Sequence, residues 1–380
     1  MRRAEKSRRR ERLACFSFAA GGDRTDVVVG AGAWRVLASR LPDIAPGRWF
    51  LVSSKKVFTL HGEELLAAGV EGLDRKPLLV PDGEAAKTWD VLGRLLSELA
   101  ARGLKRDGGI IALGGGTVGD VAGLAAALAL RGVPVIQAPT TLLAAADSAL
   151  GGKTAVDLPA GKNMAGAFHM PRLVAVETGT LETLPLRAFR SGLAEVVKSA
   201  LLSRSFFREM PRLAPGLSAR DGGAVAEAVR RSLAMKARVV AADPFERRDL
   251  RFALNLGHTV GHALEAASRY QLAHGEAIGW GLLAAIRLSE ERAGLSRPAA
   301  DAARAWIETL VCPPLPPAPA LRSWRGRLNV DKKADREGLV AVLLAAPGRT
   351  TLCRVTPRDL EVAFEAAFDA SLPSYNRSGK

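Results

Sequence analysis

The chain has 380 residues, 48% apolar and 24% charged, enough for two domains with cores of their own. Its three cysteines (Cys15, Cys312, Cys353) stand far apart with no CxxC pair, which excludes a disulfide framework or a thiolate zinc site and favours a reducing, cytoplasmic compartment. No apolar run approaches the roughly 20 residues of a membrane span, and the charged N-terminus lacks the apolar stretch of a secretory signal, so no membrane association is expected.

The formal charge of +15 is unevenly spread: residues 1–12 hold seven Lys/Arg against two Glu. Such a block is normally solvated, and residues 1–20 are expected to form a basic, disordered tail. A tail of this kind can bind nucleic acid or an anionic surface, but nucleic acid is not the expected partner. The remaining positive balance suits an anionic small molecule.

In chain order, Asp26–Val29, Trp49–Val52, Leu78–Val80, Ile110–Leu113 and Arg172–Val176 read as buried strands. Between them, residues 84–102 place Leu92, Leu95, Leu96 and Leu99 on one helix face. This alternation predicts an α/β domain over residues 21–179, a Rossmann-like parallel sheet covered by helices. Beyond residue 180 the strand signals fade. Helical stretches are expected at 188–209, 222–242, 252–268, 275–293 and 298–310, with a proline-rich connector at 313–319 and a last helix near 357–369. A mostly helical domain over 180–370 and a flexible end at 371–380 follow.

Strand Ile110–Leu113 runs into Gly114-Gly115-Gly116-Thr117-Val118-Gly119-Asp120 and then an Ala/Leu-rich helix. Glycines at a strand-to-helix turn let the backbone approach a diphosphate, and the helix N-terminus adds N–H donors. Asp120 is placed to cap that helix or to accept from a ribose hydroxyl. A second polar turn, Asp82-Gly83-Glu84 with Lys87, follows another strand toward the same sheet edge.

Arg251, Asn255, His258 and His262 are spaced by 4, 3 and 4, which predicts one polar stripe on a helix. Three of the chain's five histidines fall within seventeen residues here, since His274 follows closely. Two imidazoles with a carboxylate, from His274-Gly275-Glu276 or from Glu195 in Ser191–Lys198, suit a catalytic zinc with an open position. Spacing alone leaves open which three groups bind. Arg131, Asp147, Lys153, Lys162 and Asn163 lie among glycine turns, a cradle suited to phosphate and carboxylate.

Read in order, DGEAAK, GGGTVGD, LRG, PTTLLA, DSALGGKT, GKNMAGAF, TLETLP, GLAEVVK, NLGHTVGHALEA, HGEA and DKK resemble 3-dehydroquinate synthase over about residues 25–365. The resemblance implies a two-domain homodimeric enzyme using NAD and a divalent metal, zinc first and cobalt as a substitute. It implies metal ligands Glu195, His258 and His274, which leaves His262 for substrate. NAD would be held by Asp82, Gly83, Glu84 and Lys87, by Gly115, Gly116, Thr117, Val118, Gly119 and Asp120, by Thr140 and Thr141, by Thr180, Leu181, Glu182 and Thr183, and by Lys153 and Lys162. Lys153, Lys198, Lys236, Arg251, Asn255 and His262 would be catalytic. Arg131, Asp147, Lys162, Asn163 and one of Lys332 and Lys333 would bind substrate.

The implied reaction converts 3-deoxy-D-arabino-heptulosonate 7-phosphate to 3-dehydroquinate and phosphate in the shikimate pathway. Transient oxidation by NAD creates a carbonyl that acidifies the neighbouring C–H, and the metal, a Lewis acid, polarises that oxygen. The leaving phosphate takes the proton, the hydride returns, and an aldol step closes the ring without net redox. One departure stands out: Ser53-Ser54-Lys55-Lys56 replaces an aspartate that the family commonly places beside the adenosine, so weaker NAD binding is expected. The rival within enzymes is a metal-dependent polyol dehydrogenase of related architecture, which would release NADH.

Overall fold

The structure, a computed structural model, describes residues 13–328 and 339–378. The chain divides into two compact units, Met1–Leu184 with Val225–Phe245, and Pro185–Ala224 with Glu246–Lys380. The first break thus falls after Leu184 rather than near 180, and a later segment returns to the first unit.

The first unit runs β1 (Ala14–Ala20), β2 (Asp23–Val29), α1 (Ala33–Ile44), β3 (Trp49–Ser54), α2 (Lys55–Ala67), β4 (Leu73–Val80), α3 (Trp89–Ala101), β5 (Gly109–Gly114), α4 (Gly116–Leu128) and β6 (Val135–Pro139). A hairpin of β7 (Lys153–Leu158) and β8 (Gly161–Phe168) follows, then β9 (Leu173–Val176). Seven strands form one sheet in the order β1-β2-β9-β6-β5-β3-β4, parallel except for β1 on β2. Both faces are covered, which is why the strands read as unbroken apolar runs. Ile110 and Ala112 of β5 pack with α3 and α4, while Ile111 and Leu113 pack with α1 and α2.

The strand order locates a crevice. After β3 the chain turns over one face through α2 to β4; after β5 it turns over the other face through α4 to β6. The carboxyl ends of β3 and β5 therefore flank a topological switch point, where open α/β sheets bind ligands.

The expected disordered tail is corrected over its last residues, because β1 pairs with β2 from Ala14 to Ala20. The charge block ends at Arg12, and residues 14–20 carry no charge to solvate. The remainder of that expectation, residues 1–12, lies outside the described residues, as do Lys332 and Lys333.

The second unit contains α5 (Leu186–Leu201) and α6 (Arg204–Ser218); α7 (Gly222–Ala242) follows and belongs mainly to the first unit. It continues with α8 (His258–Ala267), α9 (His274–Arg292), α10 (Arg297–Trp306), α11 (Ala318–Ser323), α12 (Arg325–Leu328), an antiparallel pair β10 (Leu339–Ala346) and β11 (Arg349–Val355), and α13 (Pro357–Ser378). The single helix expected at 188–209 is two, broken where Ser203 caps α6 by accepting from Phe206 N.

The helix expected at 252–268 begins only at His258, and Leu250–Asn255 is a 3-10 segment. Gly257 causes the break: its φ is +78°, and a Cβ on Gly281 would lie 1.9 Å from the Gly257 carbonyl oxygen. A Cβ on Gly275 would likewise sit 1.9 Å from Ser191 O. Glycine at these points lets α9 cross α8 and α5 at backbone contact. No helix among the described residues is long and apolar enough to cross a membrane.

Candidate active site and metal centre

At the switch point of the first unit, α4 starts on Gly116 behind Gly115, which offers no side-chain cap. The first-turn N–H groups thus have no side-chain cap and are of the kind that can receive an anion. Asp120, expected as a cap or ribose contact, accepts from Lys87 Nζ at 2.6 Å. Burial pushes its carboxyl up despite that ammonium. Lys87 is itself buried and also donates to Asn163 Oδ1. Asn163, left-handed at φ +54°, has its N–H held by Asp157 Oδ1 at 2.7 Å, and Lys162 Nζ lies 3.5 Å from Glu84 Oε1. Glu84, Lys87, Asp120, Lys162 and Asn163 therefore converge, which joins the DGEAAK turn to the β7–β8 hairpin. Asp82 and Gly83 lead into this turn, exposed.

Thr140 N bonds Gly114 O at 2.9 Å, tying the ends of β5 and β6. Thr141 Oγ1 accepts from Ala144 N, opening a π-helical turn over Ala144–Ser148. That turn presents Asp147, whose carbonyl O and Oδ1 take Lys236 Nζ at 2.8 and 2.9 Å. Arg131 is exposed, with φ +68° after Leu130 at +51°, two left-handed non-glycine residues of the kind that persist at functional sites. Lys153 opens β7, exposed. After β9, Thr180 and Leu181 are buried while Glu182 and Thr183 are exposed. Ser54, at the end of β3, spends its hydroxyl on capping α2 at Val57 N.

In the second unit, ligand atoms of Glu195 on α5, His258 on α8 and His274 on α9 all lie within 4.8 Å of one another. His258 Nδ1 is 3.1 Å from the Leu256 carbonyl oxygen, which can only accept, so Nδ1 carries a proton. Burial first, then the Lys198 ammonium, hold the His258 pKa well below normal. Its ring is therefore neutral and its Nε2 lone pair faces Glu195 Oε1, 3.8 Å away.

His274 differs: Nε2 is 3.3 Å from Glu195 Oε1 and Nδ1 is 3.3 Å from Glu265 Oε2. Burial alone would lower its pKa, but the two carboxylates outweigh that and raise it to about 9. Burial would likewise raise Glu195, yet Lys198, which contacts Oε2, and His274 pull it well below the usual range. A fully buried carboxylate held ionised beside two imidazoles is a donor set that fits a divalent cation. Nδ1 groups engaged by a carbonyl and a carboxylate are the outer contacts that orient metal-binding imidazoles.

The structure does not bring all the expected stripe onto one helix. His258 and His262 share α8, with ring centroids 5.1 Å apart, whereas Arg251, buried, and Asn255 lie on the preceding 3-10 segment. Glu276, the other candidate carboxylate, caps α9 through Ala273 N at 2.7 Å and pairs with Arg187. Glu265 was not singled out by spacing, although His262, Glu265 and His274 form a second group within the same 4.8 Å limit.

A dinucleotide-type crevice in an α/β unit and a carboxylate–imidazole donor set in a helical unit give the chain the architecture of the sugar phosphate cyclases. The crystal structure of 2-deoxy-scyllo-inosose synthase complexed with carbaglucose-6-phosphate, NAD+ and Co2+ matches with a TM-score of 0.80 at 25% identity, over 93% of this chain and 100% of that one. ValA, 2-epi-5-epi-valiolone synthase from Streptomyces hygroscopicus subsp. jinggangensis 5008 with NAD+ and Zn2+ bound, matches with a TM-score of 0.80 at 26% identity, over 94% of this chain and 99% of that one.

The particular family is narrower. The family models for the 3-dehydroquinate synthase N-terminal and C-terminal parts match residues 77–191 and 192–334. A 3-dehydroquinate synthase from Acidithiobacillus ferrooxidans is 40% identical over 332 residues, covering 86% of this chain and 91% of that protein. The chain belongs to the 3-dehydroquinate synthase family.

Proposed function

We propose that this chain converts 3-deoxy-D-arabino-heptulosonate 7-phosphate to 3-dehydroquinate and phosphate, using NAD and a divalent metal, zinc or cobalt. The observation that carries the reading is the convergence of Glu195, His258 and His274, in a chain of this family. Bound NAD supplies a reversible hydride acceptor and the bound metal a Lewis acid.

The chain's own groups bind and orient. The uncapped first turn of α4, with Lys87 and the Thr180–Thr183 segment, receives the cofactor in the first unit. Arg131, Lys153, Lys162 and Asn163 supply donors for phosphate, and Lys236, fixed on Asp147, is a held cation rather than a mobile one. In the second unit Glu195, His258 and His274 hold the metal, with Lys198 keeping Glu195 ionised. Arg251, Asn255 and exposed His262 are assigned to substrate, Arg251 as the partner of its carboxylate. Orientation of the phosphate by fixed cations leaves its own oxygen to take the proton. The same reading has the enzyme act as a cytoplasmic homodimer, which sedimentation at about twice 40.2 kDa checks.

Phosphate release from the heptulosonate phosphate, measured with NAD and metal, tests the function. Release that a chelator stops, without NADH accumulating, is expected. NADH accumulating in step with substrate would make the protein a dehydrogenase instead.

A further inference from the structure

His61 belongs to neither the metal centre nor the cofactor assignments above. It lies on α2, 5% exposed, with Nε2 3.1 Å from Thr183 Oγ1. The Thr183 hydroxyl has one proton, and it goes to the Thr180 carbonyl oxygen at 2.9 Å. Nε2 is therefore the donor, which fixes the Nε2–H tautomer. Burial lowers the ring's pKa against the opposing pull of Glu64, so His61 is neutral at pH 7.

The segment carrying Thr183 is held along its length. Thr180 Oγ1 donates to Glu177 O at 2.8 Å, and the Glu177 carboxylate accepts from Gly32 N at 2.9 Å. Thr183 is nevertheless exposed. With its proton committed and one lone pair taken by His61, its hydroxyl keeps one lone pair and can only accept from a ligand. His61 sits on the helix whose first residues stand at the end of β3, beside β5, where sheets of this kind hold the adenosine ribose.

Resting on the reading that Thr180–Thr183 lines the NAD crevice, we propose that His61 is a positioning residue. It fixes Thr183 as an acceptor for a hydrogen-bond donor on the adenosine half of NAD. Nothing in the motif pattern marks this position, because the contact joins α2 to a segment more than a hundred residues later.

Direct titration of NAD and of ADP-ribose into the full chain tests this, with wild type, His61→Leu, His61→Gln, Thr183→Val and the His61→Leu/Thr183→Val double variant. Loss of one neutral hydrogen bond should raise both dissociation constants about three- to tenfold in His61→Leu and in Thr183→Val. The glutamine amide reaches the Nε2 position, so His61→Gln should stay within about twofold of wild type. The double variant should bind no worse than Thr183→Val alone. Unchanged binding by a folded His61→Leu, a His61→Gln as weak as the leucine variant, an additive double variant, or a loss seen with NAD but not ADP-ribose would each overturn the inference. Should His61→Leu not fold, Thr183→Val and His61→Gln decide by the same criteria. A wild-type chain that bound no NAD would remove the cofactor reading and this inference together.

Discussion

Glu265 Oε2 lies 3.3 Å from His274 Nδ1, on the nitrogen that does not face Glu195. Glu265 is thus a second carboxylate for the same imidazole, and it orients the ring whose other nitrogen faces Glu195 in the proposed metal site. Glu265→Ala should weaken metal affinity about 10- to 100-fold, as loss of such outer contacts does. His258→Ala and His274→Ala should abolish binding, while His262→Ala keeps the metal and loses turnover. Metal analysis after dialysis checks all four. If His262→Ala emptied the site and His258→Ala did not, the ion would sit on the His262, Glu265 and His274 group instead.

The same geometry sets a pH dependence. With its pKa raised to about 9, His274 carries an extra proton at neutral pH in the metal-free chain, whereas His258 is already neutral. A metal must displace that proton, so affinity should climb with pH and level off above about 9. Calorimetry of zinc binding at pH 7.5 in buffers of different ionisation enthalpy should show about one proton released per site. Release of none, or of two, would show that the imidazoles are held otherwise.

Removing residues 1–20 should cost stability, because it strips β1 from the whole length of β2. A chain starting at Leu13 should keep the wild-type midpoint, and one starting at Gly21 should melt at least about 2 °C lower. Equal melting curves would mean that β1 contributes no net stability.

Ser54 caps α2, so Ser54→Asp keeps the cap while restoring an acidic group at the end of β3. It should lower the NAD dissociation constant without lowering the melting temperature. A wild-type preference for NADP in direct titration would contradict this and point to Lys56 as a phosphate contact.

The parallel strands were legible because burial on both faces leaves unbroken apolar runs such as Gly109–Gly114. The histidine and carboxylate positions were legible as motifs. The single-helix stripe was not, since the break at Gly257 is imposed by Gly281 of α9, a contact that periodicity does not register. Glu265 escaped for a related reason: His274 comes back to it only after the chain turns through Arg269 and Tyr270, both left-handed. The strand β10, LVAVLLAA, carries no alternation to separate it from a helix, and β1 was obscured by the charge of the segment before it.

The carboxylate of the proposed substrate separates it from the neutral-headed sugar phosphates. Arg251, 2% exposed, is the assigned partner of that carboxylate. Losing a hydrogen-bonded contact between a charged group and this buried guanidinium costs about 1.5–3 kcal/mol. Since about 1.4 kcal/mol is tenfold in rate, a sugar phosphate without the carboxylate should react at least about tenfold less well. The measurement is kcat/KM for phosphate release from 3-deoxy-D-arabino-heptulosonate 7-phosphate, sedoheptulose 7-phosphate and glucose 6-phosphate, on the same metal-loaded, NAD-saturated protein. The heptulosonate phosphate should lead by that margin; equal or better turnover of either neutral-headed sugar phosphate would overturn the substrate assignment.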